Sequence, residues 1–96
     1  MNGRNENTAT ISVIIVAYNS ASCLRECIQS VLAQEKVAVE VIVVDNASVD
    51  DTTKVVRDFG GEVSLIVNPD NRGFGRGCNQ GFAASSGQTP HRRPRP

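Results

Sequence analysis

The sequence predicts an α/β fold in which a parallel sheet lies between layers of helix, with the elements in the order βαβαβα. Two apolar runs carry that prediction, Ile11 to Ala17 (ISVIIVA) and Val39 to Val44 (VEVIVV), and a shorter run from Val63 to Val67 follows them. The first two are β-branched and nearly all apolar, the composition of strands covered on both faces. The segment between them is long enough for the crossover helix that parallel strands need. Each run breaks off in a short polar turn, Tyr18-Asn19-Ser20 after the first and Asp45-Asn46-Ala47-Ser48 after the second. Ligands of open parallel sheets bind beyond the carboxyl ends of the strands. Tyr18 and Asp45 are therefore placed to face one ligand.

The elements follow in order. After the first strand, Ser20 is suited to cap a helix. Leu24, Cys27, Ile28, Val31 and Leu32 then recur at the spacing of one helical face, with Arg25, Glu26 and Gln29 on the other side. The second strand leads to Ser48, Asp50 and Asp51, which put a cap and negative charge at the start of a second helix through about Phe59. Gly60-Gly61 stops that helix. After the third strand, Pro69 and its neighbours make Asn68 to Gly73 a loop. The helical pattern resumes in Phe74, Cys78, Phe82 and Ala83, within the glycine-rich segment Gly73 to Gly81 (GFGRGCNQG).

Glycines near a helix start let the backbone approach either a phosphate or another strand, and residue types alone leave both readings open. The segment does not match the dinucleotide fingerprint, because Gln80 stands where the last glycine belongs and the segment follows the third strand instead of the first. The phosphate-loop pattern ending in Gly-Lys-Ser/Thr is absent.

At 96 residues the chain has room for one small domain, whose core is marginal. Ten basic residues balance ten acidic ones, which favours neither nucleic acid nor an acidic partner. All the acids lie at or before Asp70, whereas Arg92, Arg93 and Arg95 crowd the end. Gln88 to Pro96 (QTPHRRPRP) has three prolines, three arginines and no aliphatic residue, so it is expected to be a disordered, solvated tail. Residues 1–10 are expected to be a flexible start and 11–87 the folded unit. No apolar stretch reaches the roughly 18 to 20 residues that span a bilayer, and the polar start lacks the apolar core of a signal peptide. A cytoplasmic product with reduced thiols is expected. Cys23, Cys27, Cys78 and His91 could be named as a metal set, but neither CxxC nor paired-histidine spacing is present, and small apolar residues on a helix face is the preferred reading.

Three phrases, SVIIVAYNSASCLRECIQSVLAQ, EVIVVDNASVDDT and NRGFGRGCNQGF, in this order and spacing, resemble the amino-terminal nucleotide-binding half of family 2 glycosyltransferases, and among them the rhamnosyltransferase-like branch. The resemblance covers about Ile11 to Gly87. It implies a Rossmann-like, three-layer sheet of the GT-A type and a nucleotide-diphosphate sugar as ligand. By the same resemblance Tyr18 packs on the nucleobase of the donor and Asp45 accepts a hydrogen bond from it. Both suit the chemistry, since a flat π-face stacks on a base and a carboxylate matches an imide N–H of uracil or thymine. Ala17 joins this nucleotide-binding set, and Asn79 matches a position that shapes the pocket floor near the donor. Many relatives place an arginine before that asparagine to meet the diphosphate, and here Cys78 stands there. Arg72 and Arg76 are the basic residues nearby.

The family further implies a divalent cation, Mg or Mn, held across the sugar diphosphate by an Asp-x-Asp-like motif after a fourth strand. This sequence contains no Asp-x-Asp. The expectation is therefore a chain truncated before the fourth strand, with the donor-recognition half present and no catalytic residue. The fourth strand would pair beside the first, so the edge of Ile11 to Ala17 is expected to be open and prone to self-association. The implied family reaction is sugar transfer to a saccharide or lipid-linked acceptor, as in cell-surface polysaccharide synthesis, with full-length relatives at the cytoplasmic membrane face. Two other readings stand beside it, a non-catalytic nucleotide-binding module and a small interaction protein using the open edge.

Overall fold

The computed structural model describes residues 10–85. Residues 1–9 and the Arg/Pro tail lie outside the described residues. The elements are β1 (Thr10–Ala17), α1 (Ala21–Leu32), β2 (Ala38–Asn46), α2 (Thr52–Arg57), β3 (Val63–Asn68) and α3 (Gly73–Ala84). The three strands form one parallel sheet in the order β1-β2-β3, so the expected α/β architecture is present. β2 is central, and Val41 through Val44 are buried on both faces, which explains why that run carries no polar alternation.

The pleat sorts the strands into two packed faces. Ile15, Ala17, Val41 and Val43 meet Leu24 and Ile28 of α1 and Val55 and Val56 of α2 in one apolar cluster. On the opposite face Ile14 and Val16 meet α3, which completes three layers. Thr52 to Arg57 is shorter than the helix read through about Phe59. The chain turns there through Gly60 at φ 64°, and Phe59 packs against the core under the Arg25 guanidinium, 6.0 Å above its ring.

One expectation about a packed face is corrected, and one open reading is decided. The apolar spacing puts Cys27 on the buried stripe of the first helix, but Cys23 and Cys27 are both exposed, and Leu24 and Ile28 alone are fully buried there. In α3, whose apolar pattern the sequence left without an assigned face, Phe74 is 72% and Phe82 61% exposed and Cys78 is half-buried. Gly77 and Gly81 are the buried residues of that helix. A Cβ on Gly77 would stand 2.8 Å from Val16 Cγ1, and one on Gly81 would collide with Ile14. The helix turns its bare side to β1 because only a backbone without side chains fits so close. For these two glycines the approach is to a strand, not to a phosphate.

Candidate functional site at the carboxyl ends of the strands

β2 runs two residues past Val44, so Asp45 and Asn46 belong to the strand itself. Asp45 pairs in register with Ala17 on one side and Val67 on the other, and Asn46 pairs with Asn68. Alternation sends Asp45 to the α1/α2 face and Asn46 to the α3 face. Both are buried, at 1% and 2% exposure, and a buried polar group must find partners.

Asp45 finds them in its own turn. Its Oδ2 accepts the Ser48 backbone N–H at 3.0 Å, and its Oδ1 accepts the Ser48 hydroxyl. Asn46 donates to the Gly73 carbonyl at 3.1 Å and accepts from Asn68 Nδ2 at 2.8 Å. Asn68 and Gln80 exchange a reciprocal pair of amide bonds, both 2.7 Å. This network of three amides, with Asn46 and Asn68 buried and Gln80 half-buried, ties the ends of β2 and β3 to α3. The sequence reading missed it. Its available signal was an asparagine close behind each of two apolar runs, Asn46 two residues after Val44 and Asn68 directly after Val67, with Gln80 twelve residues beyond the second asparagine.

The helix caps also differ from expectation. Ser20 occupies the N-cap position of α1 but makes no capping bond; its hydroxyl donates to the Tyr18 carbonyl at 3.1 Å. Asp50 replaces it from the other turn, accepting Ala21 N–H at 3.2 Å with Oδ2 and Thr52 N–H at 2.9 Å with Oδ1. The Thr52 hydroxyl also donates to Asp50, and it accepts Ser20 N–H at 2.8 Å. That hydroxyl is the largest cause holding the Asp50 carboxyl below its ordinary range, with the Thr52 and Ala21 N–H groups adding to it. Asp51, at the N-cap position of α2, makes no side-chain cap bond.

Tyr18 follows Ala17, the strand partner of Asp45, so the two turns stand side by side. Ala17 is buried at 1% and Tyr18 is half-exposed at 52%, its hydroxyl without a hydrogen-bond partner among the described residues. The structure thus brings Ala17, Tyr18 and Asp45 together. Asn79 lies elsewhere, exposed on α3 and two residues from both Gly77 and Gly81, which on a helix of about 3.6 residues per turn turns it away from β1. No hydrogen bond between described residues links it to the two turns. Arg72 pairs with Asp70 at 3.1 Å, and Arg76 is exposed without an ion pair among the described residues.

Among the described residues no three His, Cys, Asp or Glu side chains gather as a metal set. The carboxylates at this end do not converge as the ligand set of a divalent cation would. Asp45 and Asp50 lie in separate hydrogen-bonded turns, with Ser48 and with the starts of two helices, and among the described residues no third ligating side chain joins either of them. No step is therefore assigned to a metal here.

An open parallel sheet with helices on both faces, a half-exposed aromatic and a buried acid at adjacent strand ends is an α/β fold whose candidate site lies at the carboxyl edge. Comparison with known proteins gives the family. Residues 12–89 match the family described as Glycosyl transferase family 2, and the chain belongs to that family. It is 42% identical over 79 residues to the succinoglycan biosynthesis protein ExoO of Rhizobium meliloti, covering 81% of this chain and 23% of that protein. It is 34% identical over 82 residues to the glycosyltransferase AglE of Haloferax volcanii, covering 80% of this chain and 27% of that protein. Among solved structures, a mannosyltransferase from Pyrobaculum calidifontis in complex with GDP-Man and Mn2+ superposes with a TM-score of 0.75 at 26% identity, over 83% of this chain and 25% of that one. The sheet is therefore of the GT-A type. The chain spans about a quarter of the length of these relatives. No helix among the described residues is long and apolar enough to cross a membrane.

Proposed function

We propose that this chain is the nucleotide-recognising part of a sugar transferase, one that moves a sugar from a nucleotide-diphosphate donor to a saccharide or lipid-linked acceptor. The observation that carries the reading is Tyr18, half-exposed in the turn beside the buried Asp45 at the carboxyl edge of the sheet. Its ring offers a face to a base. Asp45 offers acceptor capacity: an ionised carboxylate has about four lone-pair sites, and Ser48 takes two of them. The proposed base is of the uridine or thymidine type, whose imide N–H suits one carboxylate oxygen. Asn79, exposed on α3 and turned away from β1, is left out of the proposed base-reading set. The divalent cation belongs to the proposal only for the whole protein, since the described residues provide no set for it. A cytoplasmic setting completes the reading, in keeping with three free cysteines.

Calorimetric titration with uridine, thymidine and guanosine diphosphates, each with and without manganese, tests it. Binding of a uridine or thymidine diphosphate ahead of guanosine diphosphate is the expected order. Guanosine diphosphate binding first would keep the nucleotide site and overturn the base assignment. No binding of any of the three would overturn the reading itself.

A further inference from the structure

Within its own turn Tyr18 is held by Ser20 alone, whose hydroxyl donates to the Tyr18 carbonyl at 3.1 Å. Its own backbone N–H reaches only the Ser20 hydroxyl, at 3.4 Å. Asn19, by contrast, gives both of its hydrogen-bonding ends to the turn after β2. Its backbone N–H donates to Ser48 Oγ at 2.7 Å, and its side-chain Oδ1 accepts Val49 N–H at 2.9 Å. The same Ser48 hydroxyl donates to Asp45 Oδ1. One oxygen atom thus accepts from the Tyr18 turn and donates to the Asp45 carboxylate.

The two turns meet in unusual backbone conformations. Asn19 sits at φ 51° and Ala47 at φ 65°, the two non-glycine residues with positive φ among those described. Such residues persist where the surroundings over-determine them, and they cluster at ligand clamps. Here the surroundings are the reciprocal bonds between residues 19 and 48–49.

We infer that Ser48 is a positioning residue for the nucleotide site, its hydroxyl locking the Tyr18 turn and the Asp45 carboxylate into one rigid unit. It does not touch the ligand; it fixes the ring and the acid relative to each other. The inference rests on the nucleotide reading for its ligand and on the hydrogen bonds for its mechanics, and the two parts separate experimentally. A serine is needed because a single small hydroxyl must both donate and accept. Threonine keeps that capacity and alanine removes it.

The mechanics are read without ligand. Tyr18 is the one tyrosine and there is no tryptophan, so intrinsic emission reports on the Tyr18 turn alone. Ser48→Ala is expected to raise acrylamide quenching of that emission and to speed amide exchange at Asn19, whose N–H loses its acceptor. Ser48→Thr is expected to restore both towards the native values. Asn19→Gly is the second variant: glycine accepts the positive φ, so the fold is kept while the bond to Val49 is lost. With uridine diphosphate as the probe, Ser48→Ala is expected to weaken binding roughly tenfold, the order of effect of leaving one buried acceptor unpaired. Ser48→Thr should recover most of it, and Asn19→Gly should fall between. Native quenching and native Asn19 exchange in Ser48→Ala would overturn the inference. So would a Ser48→Ala protein that binds the diphosphate as tightly as the native chain. If the native chain binds none of the diphosphates while Ser48→Ala still loosens the Tyr18 turn, the nucleotide reading fails, and Ser48 as a positioning residue for that site fails with it. The turn lock alone would then survive.

Discussion

Ala47 holds φ at 65° without the freedom of glycine or the side-chain bonds of asparagine. The left-handed conformation costs an alanine roughly 1–2 kcal/mol, and glycine's extra freedom in the unfolded chain gives back about 0.5–1 kcal/mol of that. Ala47→Gly is therefore expected to stabilise the fold by about 1 kcal/mol or less, read as a shift in the urea midpoint; destabilisation would contradict the assigned backbone. Asp50 makes a second residue-scale prediction. Its folded carboxyl is held below 3.8 by the Thr52 hydroxyl, so it favours folding at pH values above the unfolded value and loses that contribution as pH falls through the depressed folded value. The stability advantage of the native chain over Asp50→Asn should be constant above about pH 5 and should shrink progressively on acidification from there through the depressed folded value. An advantage that persists unchanged at pH 2 would sink the assignment. Asp50 also shows why caps were hard to read from sequence. Ser20 has the right type and position, but the proton donor of Ala21 is taken by an acid 29 residues away, and only the fold puts it there.

The helix-on-sheet contact of α3 is the element whose packing was least legible. Hydrophobic periodicity points to Phe74, Cys78 and Phe82, and the reasoning behind it assumes that the larger apolar residues face the sheet. Gly77 and Gly81 invert that, because backbone contact with Val16 and Ile14 excludes any side chain. The two glycine-to-alanine changes at Gly81 and Gly75 should therefore have opposite signs. Gly81→Ala is expected to cost about 1–3 kcal/mol by overpacking against Ile14. Gly75→Ala meets nothing within 4 Å and is expected to gain about 0.5–1 kcal/mol from helix propensity alone. Equal effects in urea unfolding would show that α3 does not pack as described. The strands were legible to within two residues at every end, because β-branched runs closed by polar turns have few other readings. What escaped was the continuation of β2 through Asp45 and Asn46, two polar residues that only burial on opposite faces turns into strand.

At the scale of the molecule, family and layer order were readable because three phrases in fixed spacing mark successive strand ends, and the relatives named support the family without assigning a branch of it. The arrangement of the site was only half readable: register joins Ala17, Tyr18 and Asp45, whereas Asn79 faces outward from α3. β1 has β2 as its one strand partner among the described residues, and its eight residues include no charge and no proline. Natural edges are usually blunted by such residues. Ile11, 47% exposed, also lines an apolar groove with Val13, Val31, Val37 and Val39 beside that edge. Sedimentation velocity on the chain is expected to show concentration-dependent association that Ile11→Lys reduces, and a concentration-independent monomer would contradict this. The central claim, that the strand ends read a nucleotide, is tested most directly by titrating uridine diphosphate into the native chain, Tyr18→Phe and Tyr18→Ala. Base stacking on an aromatic contributes about 1–3 kcal/mol, so Tyr18→Phe should bind much as the native chain does and Tyr18→Ala about tenfold or more weakly. Native-like binding by Tyr18→Ala, or no binding by the native chain, would contradict the account.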